Sequence, residues 1–247
     1  MTLQRGSDPG CNGWGVLWDM DGTLVDTEPY WFAAEYELVA EFGGTWSNEH
    51  AHLLVGSDLL DGAAYIQRHG PVPLDVHEIV ARLEAGVARR TATSIPWRPG
   101  ARELLAALHD AGVPSALVTM AWRGSAQPVL DALPSGWMRA SVTGDEVPSG
   151  RGKPHPDPYL HGAAMLGLDP ECCVAIEDSP TGAAAALAAG CVTIGVPNAV
   201  ELAGRPDLDG LILRTSLTDL TVADLAALVA DQRGSLAAAP ITAEPPA

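Results

Sequence analysis

The sequence predicts an α/β protein, a doubly wound parallel sheet with an α-helical block inserted into it. Three observations carry that reading. Short, nearly all-apolar runs alternate with helix-like stretches, the pattern of parallel strands covered on both faces. Residues 27–96 break the rhythm, holding helical segments and no convincing buried strand. Three of the apolar runs end in reactive polar side chains, at the strand ends where open α/β sheets bind their ligands.

Taken in order, residues 1–13, which contain Gly, Asp and Pro, are expected to be a loose, disordered lead-in. Trp14–Trp18 is the first strand candidate. It is followed by the block 27–96, bracketed by Thr27-Glu28-Pro29 and by Pro96-Trp97-Arg98-Pro99-Gly100, with helical segments at Tyr30–Phe42, Asp58–Gly70 and Leu74–Thr91. The alternation then resumes. Strands are expected at Ser115–Val118, Ala140–Thr143, Cys173–Ile176, Val192–Val196 and Leu211–Leu213. Helices are expected at Ala101–Ala111, Gly124–Leu133, Pro158–Gly167, Pro180–Ala189 and Thr221–Gln232. Gly112, Gly167 and Gly190 fall where helices stop. The expected division is a core of residues 14–26 and 97–233, a helical block of 27–96, and a disordered Pro- and Ala-rich tail over 234–247.

The chain has 247 residues, 47% hydrophobic and 18% charged, which suits a globular protein with a sizeable core and excludes disorder throughout. Acidic residues outnumber basic ones 31 to 14, giving a formal charge of −17. Such a surface repels nucleic acid and anionic lipid, so neither is an expected partner. A small anion is still admissible where a local cation reverses the field. The start of the chain has no apolar leader segment, and no stretch is long enough to span a bilayer. Cys11, Cys172, Cys173 and Cys191 form no C-x-x-C pair, so they are read as free thiols in a reducing, cytoplasmic setting. A monomer is favoured.

Strand one runs into Asp19-Met20-Asp21-Gly22-Thr23, another strand ends at Thr119, and a third ends Glu177-Asp178. Parallel strands bring these ends to one edge. Carboxylates crowded there repel one another and call for a cation. An oxygen-only donor set selects a hard ion, with Mg2+ the usual partner of carboxylates and phosphate. Such a group suits phosphoryl transfer, where charge stabilisation and in-line geometry do most of the catalysis. Lys153 is the only lysine in a chain that otherwise uses arginine. A compact ammonium fits where a guanidinium fork does not. Singly, each signal has a bland reading: Asp-Gly is a common turn, a strand-end threonine caps helices, and Glu177-Asp178-Ser179-Pro180 reads well as a helix start.

Together they carry a resemblance. DMDGTLVDTE from Asp19 to Glu28, Thr119, Lys153 in GKPHPDPY and EDSPTG from Glu177 resemble, in order, the four motifs of the haloacid dehalogenase-like superfamily. The resemblance covers roughly Trp14 to Gln232. It implies a Rossmann-like core with a helical cap inserted after the first motif. It further implies that Asp19 is a nucleophile forming an aspartyl-phosphate, and that Asp21 is general acid and then base. Asp19, the Asp21 backbone carbonyl and Asp178 would hold Mg2+ with Glu177 adjacent, while Thr119 and Lys153 would bind phosphoryl oxygens.

Within the superfamily, Asp21 favours phosphoryl chemistry over dehalogenation. A cap without lysine excludes the Schiff-base phosphonate route. Trp31 stands where the similar β-phosphoglucomutase branch carries histidine, which favours a phosphatase over a mutase. Val55-Gly56-Ser57-Asp58 resembles the substrate-reading cap loop, placing Trp31, Gly56 and Ser57 near the substrate. Met120 and Ala121 depart from the Ser or Asn usual after the second-motif threonine. The expected activity is a Mg2+-dependent phosphatase of a small phosphorylated metabolite such as a sugar phosphate. A phosphosugar mutase and a non-catalytic phospho-ligand binder are the alternatives.

Overall fold

The computed structural model describes residues 13–238. Six strands form one sheet: β1 (Gly15–Trp18), β2 (Ser115–Val118), β3 (Ala140–Val142), β4 (Cys173–Glu177), β5 (Val192–Gly195) and β6 (Ile212–Leu213). Their spatial order is β3-β2-β1-β4-β5-β6, and every neighbouring pair is parallel. The order reverses between β1 and β4, so a crevice opens beyond the carboxyl ends of those two strands. Asp19 follows the first of them and Glu177 ends the second.

The strands read as continuous apolar runs because both faces are covered. Val16, Trp18, Leu117, Val174, Ile176, Val192 and Ile194 point into one core layer. There they meet α5 (Ala101–Asp110), α6 (Arg123–Asp131) and α9 (Val222–Ala238). Leu17, Ala116, Val118, Cys173 and Ala175 point the other way, onto α7 (Asp157–Leu166) and α8 (Pro180–Ala188). This is the period-2 alternation of strand side chains. Small residues on α8 let it lie close to the sheet.

Between β1 and α5 the chain forms α1 (Glu28–Glu41), α2 (Asn48–Leu54), α3 (Leu59–His69) and α4 (Val76–Thr93), packed around their own core of Leu38, Val39, Ile66, Ile79, Leu83 and Val87. The chain leaves and re-enters the sheet side by side. Asp26 N–H donates to the Pro96 carbonyl (2.8 Å) and Arg98 N–H to the Leu24 carbonyl (2.9 Å), flanking an antiparallel Val25–Trp97 bridge. A second contact is polar. Glu84 of α4 is 6% exposed, and its carboxylate accepts from Trp122 N–H (3.2 Å), Ser125 N–H (2.9 Å) and the Ser125 hydroxyl (2.8 Å). It thereby caps the first turn of α6, which otherwise has no side-chain cap.

Four expectations need correction. Helix α2 went unread, because only Ala51 of its residues is buried and the segment carries no apolar stripe. What starts it is the Ser47 hydroxyl accepting from His50 N–H. Helix α1 begins at Glu28 and not at Tyr30, since Pro29 is well tolerated in a first turn. Helix α9 runs to Ala238, into the stretch read as tail, because the Ala- and Leu-containing segment continues its helical pattern. Cys173 and Cys191 are buried free thiols, but Cys172 is disulfide-bonded. With one cysteine oxidised, the cysteines no longer argue for a reducing compartment. Cys11, the rest of the lead-in through residue 12, and residues 239–247 lie outside the described residues. No helix among the described residues is long and apolar enough to cross a membrane.

Candidate active site

The crevice beyond β1 and β4 is built by two tight turns. After β1, Asp19 N–H pairs with the Ile176 carbonyl (3.0 Å), and the chain turns through Gly22 at φ +84°. A Cβ on Gly22 would stand 2.0 Å from Asp178 Oδ2, so glycine is needed both for the backbone and for the carboxylate lying across it. After β4, the chain turns through Glu177 and Asp178 into α8, whose first turn is capped by the Ser179 hydroxyl accepting from Gly182 N–H (3.1 Å).

Lys153 sits at the centre. It is 8% exposed, and its three ammonium protons go to Asp19 Oδ1 (2.7 Å), Glu177 Oε1 (2.6 Å) and the Val118 carbonyl (2.9 Å). Burial lowers its pKa, but Asp19 and Glu177 outweigh that and hold the ammonium charged. Glu177 is fully buried and saturated. Tyr159 O–H also donates to Oε1 (2.6 Å), while Oε2 accepts from the N–H groups of Asp178 and Ser179 and from the Ser179 hydroxyl (3.2, 3.3 and 3.0 Å).

Asp19 is the opposite case. Its Oδ1 is held by Lys153, and its Oδ2 is buried with no hydrogen-bond partner among the described residues. Burial raises the Asp19 carboxyl to about 7, with Glu177 adding to the rise and Lys153 opposing it. Asp178, 2% exposed, is driven well above the usual carboxylate range by burial, then by Asp19 and Glu177. An oxygen of each of Asp19, Glu177 and Asp178 lies within 4.8 Å of the others. A buried acidic group with one orphaned oxygen fits a divalent cation on the Asp19 and Asp178 side, since Glu177 has no lone pair to spare.

Asp21 stands across the crevice, partly buried. Its Oδ1 accepts from the Thr27 hydroxyl and from Trp31 Nε1–H (3.0 Å), and its Oδ2 lies 3.5 Å from the Thr119 hydroxyl. Burial raises its pKa, and the Thr27 and Trp31 hydrogen bonds partly counter that. Thr119 is almost fully buried and also accepts from Ala121 N–H (3.1 Å). Met120, the departure noted in the sequence, accepts from Lys153 N–H through its sulfur (3.5 Å).

All the motif residues therefore meet around one cavity between the sheet and helices α1–α4. Asp19, Asp21, Thr119, Lys153 and Asp178 line its floor, and Glu177 lies directly beneath. Trp31, Gly56 and Ser57 line it from the helical side, with the Gly56 carbonyl accepting from the Thr181 hydroxyl (2.9 Å).

Residues 15–190 match the family description haloacid dehalogenase-like hydrolase. The chain belongs to this family. Among haloacid dehalogenase-like proteins it is 36% identical to hexitol phosphatase A of Escherichia coli (strain K12), over 84% of this chain and 93% of that one. It is 30% identical to a phosphoglycolate phosphatase of Salmonella typhi, over 74% and 80% respectively. The crystal structure of CbbY from Rhodobacter sphaeroides with xylulose-(1,5)bisphosphate superposes with a TM-score of 0.75 at 29% identity, covering 85% of this chain and 98% of that one. This haloacid dehalogenase-like chain is a phosphatase.

Sequence reasoning missed Thr27 and Tyr159, and also Glu28 and Glu35, which line the same cavity. Thr27 and Glu28 sat inside the quoted first motif and Tyr159 inside the third, so their position was the available signal. Glu35 was legible only by extending the face of α1 that carries Trp31, because residues four apart share a helix face.

Proposed function

We propose that this phosphatase hydrolyses a small phosphorylated metabolite of the sugar-phosphate class with Mg2+ as cofactor, through an aspartyl-phosphate on Asp19. The observation that carries the reading is the asymmetry of Asp19: one oxygen is fixed by the sole lysine and the other is buried without a partner among the described residues, in a carboxylate that has an Asp178 oxygen within 4.8 Å of one of its own. Asp19 and Asp178 hold the cation, with the Asp21 backbone carbonyl. Bound there, a divalent ion neutralises the phosphoryl group and the carboxylates that face it. Residues 27–96 serve as the cap over a core of 14–26 and 97–233.

In the first half-reaction the Asp19 carboxylate forms a bond to phosphorus while the ester oxygen leaves, taking a proton from the Asp21 carboxyl. Burial, which lifts the Asp21 pKa, keeps that proton available. In the second, Asp21 takes a proton from water as the water oxygen bonds to phosphorus, and Asp19 is released as carboxylate with inorganic phosphate. Lys153 orients Asp19 and neutralises charge throughout, and the Thr119 hydroxyl donates to a phosphoryl oxygen. Trp31 occupies the position beside Asp21 and donates to it, which favours a phosphatase over a mutase.

The test is phosphate release from sorbitol 6-phosphate and p-nitrophenyl phosphate with Mg2+, with EDTA, and with Asp19→Asn. EDTA and the variant should each abolish turnover. Conversion of β-glucose 1-phosphate to glucose 6-phosphate in place of phosphate release would establish the mutase. Metal-independent release, or a fully active Asp19→Asn, would overturn the mechanism.

A further inference from the structure

The mechanism leaves one buried acid in the cavity unused. Glu35 is 4% exposed and lines the same cavity as Asp19 and Asp21. It lies on α1 one turn beyond Trp31, whose indole bonds Asp21, which sets the two residues about 6 Å apart along the helix axis. Its Oε2 accepts from Trp46 Nε1–H (2.9 Å), which fixes the carboxyl in one orientation. Its Oε1 accepts no hydrogen bond among the described residues. The lining from the helical side is otherwise largely apolar, including Phe32, Leu54, Leu59 and Leu83. Oε1 is not among the sealed, unpartnered atoms of the described residues, so it keeps an open side, and the open space that Glu35 lines is the cavity.

Charge narrows what fits there. The one cationic side chain among the described residues lining the cavity is Lys153, already committed to Asp19 and Glu177. At the Glu35 end the cavity offers a carboxyl and no cation, so a second phosphate or a carboxylate on the substrate meets no counter-charge. A hydroxyl both donates and accepts, and so pairs with a carboxyl in either protonation state. Burial holds the Glu35 carboxyl up at about 8, which further suits a neutral partner.

We infer that Glu35 is a specificity-determining residue: its Oε1 pairs with a hydroxyl on the uncharged tail of a phosphorylated polyol, and this end of the cavity rejects phosphomonoesters whose tail bears a second anion. The inference rests on the phosphatase reading above and names the substrate class of that site. It separates this chain's chemistry from that of a bisphosphate or phosphoglycolate site.

The test compares kcat/KM for sorbitol 6-phosphate and for phosphoglycolate in the wild type, Glu35→Gln and Glu35→Leu, with p-nitrophenyl phosphate as a common reference. Calorimetry of sorbitol 6-phosphate against inorganic phosphate, on an Asp19→Asn background, reads binding without turnover. The wild type should prefer the hexitol phosphate. Glu35→Leu should lower that preference at least about tenfold, mostly through KM, and weaken calorimetric binding of the hexitol phosphate but not of inorganic phosphate. Glu35→Gln keeps an acceptor for Trp46 and a polar group for the hydroxyl. It should retain hexitol binding while admitting phosphoglycolate better, and this holds the test open if the leucine variant fails to fold. An identical preference in all three proteins, or a wild type preferring phosphoglycolate, overturns the inference while leaving the phosphatase intact. Absence of turnover on every ester, p-nitrophenyl phosphate included, removes the phosphatase reading and this inference with it.

Discussion

Replacing Glu84 by glutamine isolates the polar clasp between α4 and α6. Burial raises the Glu84 carboxyl from 4.5 to about 7, against the hydrogen bonds from Ser125 and Trp122. A carboxyl whose pKa is higher folded than unfolded holds its proton longer in the native state. The stability this confers is full below pH 4.5 and is lost as pH rises to about 7. The gap corresponds to about 3 kcal/mol over the whole window, and to about 2 kcal/mol between pH 5.5 and 8. Glutamine has the same shape and does not titrate. Urea unfolding of both proteins at pH 5.5 and pH 8 gives a difference in which the other carboxyls cancel. The wild type should lose about 2 kcal/mol relative to Glu84→Gln on going to pH 8. A stability difference that does not move with pH would refute the claim that Glu84 is buried against α6 as a titrating cap.

Three further outcomes follow from the floor of the cavity. Gly182→Ala puts a Cβ 1.8 Å from Glu177 Oε1, so it should destabilise by about 1–3 kcal/mol in thermal or urea unfolding, although alanine is the better helix former. Lys153→Arg cannot direct three protons to Asp19, Glu177 and the Val118 carbonyl from a planar fork; kcat/KM on p-nitrophenyl phosphate should fall about a hundredfold or more. Trp31→Phe removes a donor that stabilises the Asp21 carboxylate, so the alkaline limb of the kcat/KM profile should move to higher pH.

The sheet was legible because its strands are buried on both faces, so apolar runs such as Ser115–Val118 could be read directly and lie where expected. The floor of the site was legible for a related reason: turns that must place Asp19, Asp21 and Asp178 on one edge leave short, rigid motifs. Helix α2 was not legible, because what holds it is Ser47 at its start and a single buried alanine. Glu84 was invisible as a cap for α6, since its partners lie 38 and 41 residues away and an isolated glutamate in a helix reads as solvated surface. The disulfide at Cys172 was not legible either, because Cys172 belongs to no C-x-x-C pair.

Thr27 and Trp31, which both bond Asp21, ride on the start of α1, whereas Asp21 itself belongs to the turn after β1. The proton donor and its tuning therefore sit on opposite sides of the chain's narrow crossing at Val25 and Trp97. The turn after β1 supplies the acid and the start of α1 supplies the groups that tune it, so the helical layer that encloses the cavity also sets the readiness of the proton.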